Sequence, residues 1–257
     1  MKRNQIDKAL EDKQAIKIMT HVVAGYPDMA ASKEIIMAMD ESGADLIEIQ
    51  IPFSDPLADG PTIMRANQAS LENGTTAEDC FRAVGELHGL TRAPLLFMTY
   101  CNIPFTLGME SFVRESANCG VSGLIIPDLP FDEATEGYHE TARSYGLHPI
   151  PVVSPDVSMT RLIDICARST GFIYTTLKVG ITGAGTAIDP QGLAYIKRVK
   201  QKTVLPIAAG FGISSPLQVK QLAGIADAAV IGSHMINLFN QSGLAAVTKF
   251  LRMCKEE

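Results

Sequence analysis

The chain has 257 residues, 46% of them apolar, and 28 acidic against 22 basic side chains give a formal charge of −6. That apolar content supports a sizeable core and excludes a disordered or fibrous protein, while the singly scattered lysines and arginines form no basic stripe for a phosphodiester backbone, which argues against a nucleic-acid partner. The five cysteines, Cys80, Cys101, Cys119, Cys166 and Cys254, are odd in number and form no CxxC or Cys/His cluster, so they read as reduced thiols of a cytoplasmic protein.

The N-terminal stretch MKRNQIDKALEDKQAIKIM carries charge where a signal peptide needs its apolar segment, and no later run is long enough to span a bilayer. Strand patterns follow at 17–23 (KIMTHVV), 45–51 (DLIEIQI), 95–99, 122–126, 148–153, 171–175, 203–208 and 227–231. Helical patterns lie between them at 29–42, 62–88 with a break at Asn73-Gly74, 108–119, 131–145, 158–168, 189–201 and 214–223, with a last one at 240–254. Alternation of eight strands with helices in a chain of this size predicts an α/β protein, a TIM (β/α)8 barrel with extra short helices, spanning 1–257 as one domain. A doubly wound sheet would need a GxGxxG turn after the first strand, and AGYPDM at 24–29 is not one. Each strand is followed by a turn containing Gly, Pro, Asp or Ser, and in a barrel those turns share the rim that carries the chemistry.

In the second strand the period of two puts Ile47, Ile49 and Ile51 on the helix-covered face and Leu46, Glu48 and Gln50 inside. A carboxyl held there, near the C-terminal end of its strand, is expected to have a raised pKa suited to general acid or base work; the competing reading is a structural carboxylate paired with a buried Arg or Lys. Asp59 lies in the following loop, able to reach back over the mouth, although it and Asp55 also suit the turns of PFSDPLADGP on their own.

The loops GITG (180–183), GFGIS (210–214) and IGSH (231–234) follow the last three strands, and Gly232-Ser233 stands where a short extra helix can begin. Backbone amides there are placed to bind a phosphate.

These segments, IPFSDPLADGPTI (51–63), PDLP (127–130), GITGAG (180–185), GFGIS and IGS (231–233), resemble the tryptophan synthase α-subunit family in order, at similar spacing and over essentially the whole chain. The resemblance implies a lyase that cleaves indole-3-glycerol phosphate to indole and glyceraldehyde 3-phosphate and passes indole to a β-subunit in an α2β2 assembly. Pyridoxal phosphate would belong to that partner, and this chain would need no cofactor or metal. It further implies that Glu48 and Asp59 are the catalytic carboxylates and that Tyr174 is an active-site tyrosine. Thr182 would lie in a mobile loop, Phe211 near the ligand, and Gly183, Gly212, Gly232 and Ser233 at the phosphate; Asp128 falls near the intersubunit end. Two departures stand out. Gln50 replaces the usual glycine and is expected to narrow the indole pocket or to hydrogen-bond Glu48, so that Gln50→Gly keeps or raises activity. Leu177-Lys178 replaces a common Ser-Arg before the mobile loop, which bears on loop closure.

Lys178 supports a second reading, a class I aldolase that forms a Schiff base with a sugar phosphate, although a lysine past the strand end stays solvated and protonated. A third is a non-catalytic relative that only activates a β-subunit. The five histidines show no metal-ligand spacing and read as surface or packing residues, with His234 alone near the anion loops.

Overall fold

The computed structural model describes residues 3–131, 137–177, 188–210 and 212–256. Its strand segments are β1 (Lys17–Val23), β2 (Leu46–Gln50), β3 (Leu95–Met98), β4 (Gly123–Ile125), β5 (His148–Ile150), β6 (Val152–Val153), β7 (Ile173–Thr176), β8 (Ile207–Gly210) and β9 (Ala228–Ile231). They form one parallel sheet in the order β5-β4-β3-β2-β1-β9-β8-β7-β6. The two ends of that order are consecutive in the chain. The run expected as one strand at 148–153 is interrupted by Pro151, which has no N–H to donate; its first half pairs with β4, its second half pairs with β7, and the Pro151 carbonyl accepts the Tyr174 N–H at 3.0 Å. One run paired on both flanks closes the sheet into an eight-stranded barrel.

The alternation along β2 divides the core into two layers. Ile47, Ile49 and Ile51 pack outward with Ile18, Phe97 and Ile173 under the helices, and Leu46 packs inward with Met19, Leu96, Met98, Ile125, Tyr174 and Val230. Each isoleucine is at most 1% exposed, and burial of such a side chain contributes about 1.5–3 kcal/mol.

The N-terminal end of the barrel is plugged by a helix the sequence pattern did not show, α1 (Gln5–Ala9), because QIDKA holds too few apolar residues for a periodic signal. Asn4 and Asp7 form a capping box there. Asn4 Nδ2 also donates to the Ser122 and Gly146 carbonyls at 2.8 and 3.1 Å, which ties the plug to the loops before β4 and β5. Ile6 is fully buried under the barrel, and a Cβ built on Gly123 would meet its Cδ1 at 2.8 Å and the His148 carbonyl at 3.1 Å, so the plug packs closely on β4. With that end closed, access to the interior is from the opposite rim.

The remaining helices are α2 (Met29–Glu41), α3 (Pro61–Glu72), α4 (Ala77–Leu87), α5 (Asn102–Leu107), α6 (Met109–Asn118), α7 (Tyr138–Ser144), α8 (Met159–Arg168), α9 (Pro190–Lys200), α10 (Pro216–Leu222) and α11 (Ser233–Lys255). The break at Asn73-Gly74 separates α3 from α4 as expected. The turn that follows β3 runs directly into α5, which starts at Asn102. The short helix expected at Gly232-Ser233 and the last helix are joined in α11 across a kink at Gly243 (φ 71°, ψ −171°). One strand is displaced from its expected place: 203–206 is a loop with Val204 95% exposed, and β8 begins only after Pro206. None of the described helices is long and apolar enough to cross a membrane.

Three acids at the plugged end show what a structural carboxylate does here. Asp45 accepts the Ile18 N–H at 2.6 Å and pairs with Lys255, and Asp227 accepts the Ile207 N–H at 2.8 Å and pairs with Lys200. Asp40 accepts the Arg92 and Ala93 N–H groups at 2.9 and 2.7 Å.

Candidate active site

The β1–β2 register sets His21 opposite Glu48 and Val23 opposite Gln50. Glu48 is 3% exposed and faces the barrel interior. Among the described residues, unlike the structural acids, it accepts no backbone N–H, and its ion-pair partner is His21, whose Nδ1 lies 3.4 Å from Glu48 Oε2. Among the described residues no Lys or Arg pairs with it.

His21 was not singled out in the sequence, yet it shares the parity of Met19, an interior residue, and that signal was available. It is 4% exposed, and its Nε2 has no partner among the described residues. Burial opposes its imidazolium, but the Glu48 carboxylate, with Asp59 and Gln50 beyond it, outweighs burial and raises its pKa above the ordinary histidine value.

Asp59, expected in the loop after β2 as a group reaching over the mouth or as a turn residue, is only 7% exposed. Burial raises its pKa, against the opposing effects of the Gln50 hydrogen bond, nearby His21 and the Tyr100 hydroxyl. Gln50 also behaves differently from the expectation: its Nε2 donates to Asp59 Oδ2 at 2.7 Å and approaches Asn67 Oδ1 at 3.4 Å, and it makes no hydrogen bond to Glu48. The loop that carries Asp59 is fixed from two sides. Asn67 on α3, fully buried, accepts the Phe53 N–H at 2.9 Å, while the Tyr100 hydroxyl accepts the Ala58 N–H at 3.1 Å and its ring stacks on Phe53. Asp55 stays exposed on the outer side of this loop and accepts the Ser54 hydroxyl at 2.6 Å.

Glu48, Asp59 and His21 open onto a cavity of about 220 Å³ at the C-terminal mouth of the barrel. Met98, Ile125, Val152 and Val230 supply apolar wall. Tyr174, from β7, lines the same cavity, and burial, with Glu48 and Asp59 nearby, pushes its phenol well above the ordinary range, so it is a neutral hydroxyl. Its ring fits closely against Gly210, where a Cβ would stand 2.9 Å away.

Gly212, Gly232 and Ser233 lie at the other side of the cavity. Gly212 has φ 86°, a backbone conformation that favours glycine. The Gln218 side chain holds that loop: its Oε1 accepts the Ser214 N–H at 2.7 Å and its Nε2 approaches the Gly212 carbonyl at 3.4 Å. Gly232 caps α11 and its carbonyl accepts the Met235 N–H at 2.9 Å, while the Ser233 and His234 amides precede the first intrahelical bond, so the helix presents its positive end to the cavity. The arrangement is an apolar slot with two carboxylates at one side and an anion-binding turn at the other.

Of the remaining expected positions, Thr182, Gly183, Phe211 and Lys178 lie outside the described residues. Leu177 continues the β7 pairing through its N–H to the Gly210 carbonyl at 3.0 Å and packs in the outer core, away from the cavity lining. Asp128 accepts the Cys101 N–H at the rim at 2.9 Å. Among the described residues no group of three His, Cys, Asp or Glu is arranged to hold a metal ion.

Comparison with known proteins agrees across the chain. A family model described as "Tryptophan synthase alpha chain" matches residues 8–256. The tryptophan synthase alpha chain of Desulfotalea psychrophila is 43% identical over 249 residues, covering 96% of this chain and 98% of the relative. That of Syntrophotalea carbinolica is 40% identical, covering 92% and 93%. Among solved structures, Mycobacterium tuberculosis tryptophan synthase superposes with a TM-score of 0.91 at 31% identity, covering 98% of this chain and 97% of that one.

Proposed function

The chain belongs to the tryptophan synthase alpha chain family, and from that premise we propose that Glu48 is its acid–base group and Asp59 the carboxylate that stabilises the indole cation. Its reaction is the lyase step of that family, cleavage of indole-3-glycerol phosphate to indole and glyceraldehyde 3-phosphate in L-tryptophan biosynthesis.

One observation carries the assignment of roles: a buried acid that has, among the described residues, neither a backbone donor nor a Lys or Arg partner faces an apolar slot that ends in an anion-binding turn. The indole ring fits the apolar wall and the phosphate the turn at Gly212, Gly232 and Ser233. That leaves the bond to be broken beside Glu48. Glu48 protonates indole C3, which makes the ring cationic at nitrogen, and then takes the proton of the side-chain hydroxyl as the carbon–carbon bond breaks. The ionised Asp59 accepts the ring N–H and stabilises that charge as it develops. The neutral Tyr174 hydroxyl is a substrate contact in the same slot. Thr182, Gly183 and Phe211 complete the site in this proposal, as the family pattern implies.

The two carboxylates suffice for this chemistry without a cofactor in this chain; pyridoxal phosphate belongs to the β-subunit. We propose that subunit as the partner, in an α2β2 assembly seated on the rim around the mouth. Exposed Leu57, after β2, and exposed Phe105, on α5, are apolar residues of that rim suited to burial against a partner. The free cysteines suit the reducing cytoplasm. Incubation of the chain with indole-3-glycerol phosphate tests the reading: indole and glyceraldehyde 3-phosphate released in equal amounts support it, and no indole, alone or with a β-subunit, refutes it.

A further inference from the structure

We propose that His21 is a positioning residue of this lyase: set between Glu48 and the phosphate turn, its imidazole holds the reaction proton in common with Glu48 and keeps that carboxyl supplied for transfer to the indole ring. The inference rests on the lyase reading above and adds a residue to it.

The geometry carries it. Strand register places His21 directly across from Glu48, with Nδ1 3.4 Å from Oε2, so one ring nitrogen is committed to the acid. The other, Nε2, is buried without a partner among the described residues, and the ring is part of the cavity wall. On the far side from Glu48 stands Gly232: a Cβ built there would meet the His21 Cβ at 3.6 Å. The imidazole therefore lies along the path a glycerol phosphate chain must take from the acid to the anion turn. A histidine that served only to fill space would be replaceable by an apolar ring of similar size, without a polar nitrogen left unsatisfied in the wall.

The surroundings supply the electrostatics. β2 turns Glu48 and Gln50 toward the imidazole and the loop after β2 brings Asp59, while the facing segment of β9 is the apolar Ala228–Ile231 and α3 contributes Ile63. Tyr174, across the cavity on β7, is a neutral phenol coupled to the same two acids. Gln50 ties the loop acid to β2, since its Nε2 donates to Asp59 Oδ2 at 2.7 Å. Burial lowers the pKa of His139, His148 and His234, whereas that of His21 is raised by its carboxylate neighbours despite burial.

The proton count closes. The His21–Glu48 pair enters the reaction with one proton, and Glu48 delivers it to indole C3, which leaves a neutral imidazole beside a carboxylate and a cationic ring. The hydroxyl proton then passes to Glu48 as the C=O bond forms. The electron pair of the broken carbon–carbon bond returns to the ring, and the recovered proton is again shared with His21. With its pKa held above the ordinary histidine value by the neighbouring carboxylate, His21 keeps one proton available to Glu48 at higher pH.

The test compares kcat and KM for indole formation across pH in the wild-type chain, His21→Gln, which keeps polarity without titrating, and His21→Phe. The expected result is an alkaline limb of kcat moved down by about one pH unit in both variants, about tenfold lower turnover on that limb, with KM changed far less. A wild-type alkaline limb in His21→Gln, or an effect on KM alone, overturns the proposal. Should the variants fail to fold, the imidazole resonance of His21 decides in the intact chain: its pKa should lie above that of free histidine in the wild type and fall in Glu48→Gln, and a pKa indifferent to that substitution overturns the proposal. Absence of indole release by the wild type would refute the lyase reading itself, whereas normal release with an unmoved His21→Gln profile refutes only the role of His21.

Discussion

Replacement of Gln50 by methionine, close to it in shape, removes its short hydrogen bond to Asp59 and its longer one to Asn67 while keeping the space filled. In the native chain the fully buried Gln50 amide donates to Asp59 Oδ2 at 2.7 Å, a hydrogen bond to a charged acceptor that is 7% exposed. Such bonds contribute about 1.5–3 kcal/mol. At 1.36 kcal/mol per pH unit, the loss moves the Asp59 pKa up by roughly one to two units, adding to the rise that burial already causes. The acid limb of kcat/KM for indole formation should therefore shift upward by about the same amount, with turnover at a fixed pH below that limb reduced roughly tenfold or more. Thermal unfolding at neutral pH should also occur at a lower temperature. This direction is opposite to the expectation from family resemblance, in which removing the Gln50 side chain frees the pocket. Steady-state indole assays from acid to alkaline pH, with melting curves in the same buffers, measure both effects. A Gln50→Met chain with the wild-type acid limb and wild-type melting temperature would refute the reasoning.

Asp59→Asn should abolish most turnover yet raise stability at neutral and alkaline pH: a carboxyl whose folded pKa is raised contributes most below its unfolded pKa, and that contribution is lost as pH rises through the folded value. Melting temperatures of wild type and variant should accordingly converge at acid pH and separate above it. Ile6→Ala, at the fully buried contact beneath Gly123, should cost about 2–5 kcal/mol in denaturant unfolding while KM stays close to wild type, because α1 plugs the end of the barrel away from the cavity. Ser233→Asp adds negative charge at the start of α11. It should leave the melting temperature unchanged or raised, by the favourable effect of an acid at a helix N-terminus, and should raise KM for the phosphorylated substrate at least about tenfold through like-charge repulsion.

Much of the fold was legible because single residues obeyed simple periods. Ile47 and Ile49 of β2, with Ile51 just beyond it, and the inward residues 46, 48 and 50 fall on the two faces that alternation dictates. The glycine-bearing turns after the strands also marked the rim. The misread features depend on contacts distant in sequence or on one atom type. Thr203 and Val204 look like strand residues, but Pro206 lacks the N–H to continue a ladder, and β8 starts beyond it. Pro151 likewise divides one expected strand into β5 and β6. Asp59 reads as a turn residue in ADGP, and only the fold of the loop onto Tyr100 and Asn67 shows that it is buried. The Gln50–Asp59 bond is invisible to any local pattern. His21 was recoverable, since parity with Met19 puts it inside the barrel, but a lone histidine in an apolar strand carries no chemistry until its neighbour across the register is known to be Glu48.

The central claim is that the acid on β2 handles the proton on which carbon–carbon cleavage depends. Indole release from indole-3-glycerol phosphate by Glu48→Gln, compared with wild type under saturating substrate, tests it most directly. The amide keeps the shape of the side chain but cannot carry that proton, so turnover should fall by roughly 10³-fold with the fold and phosphate affinity retained. Wild-type turnover in Glu48→Gln would contradict the account.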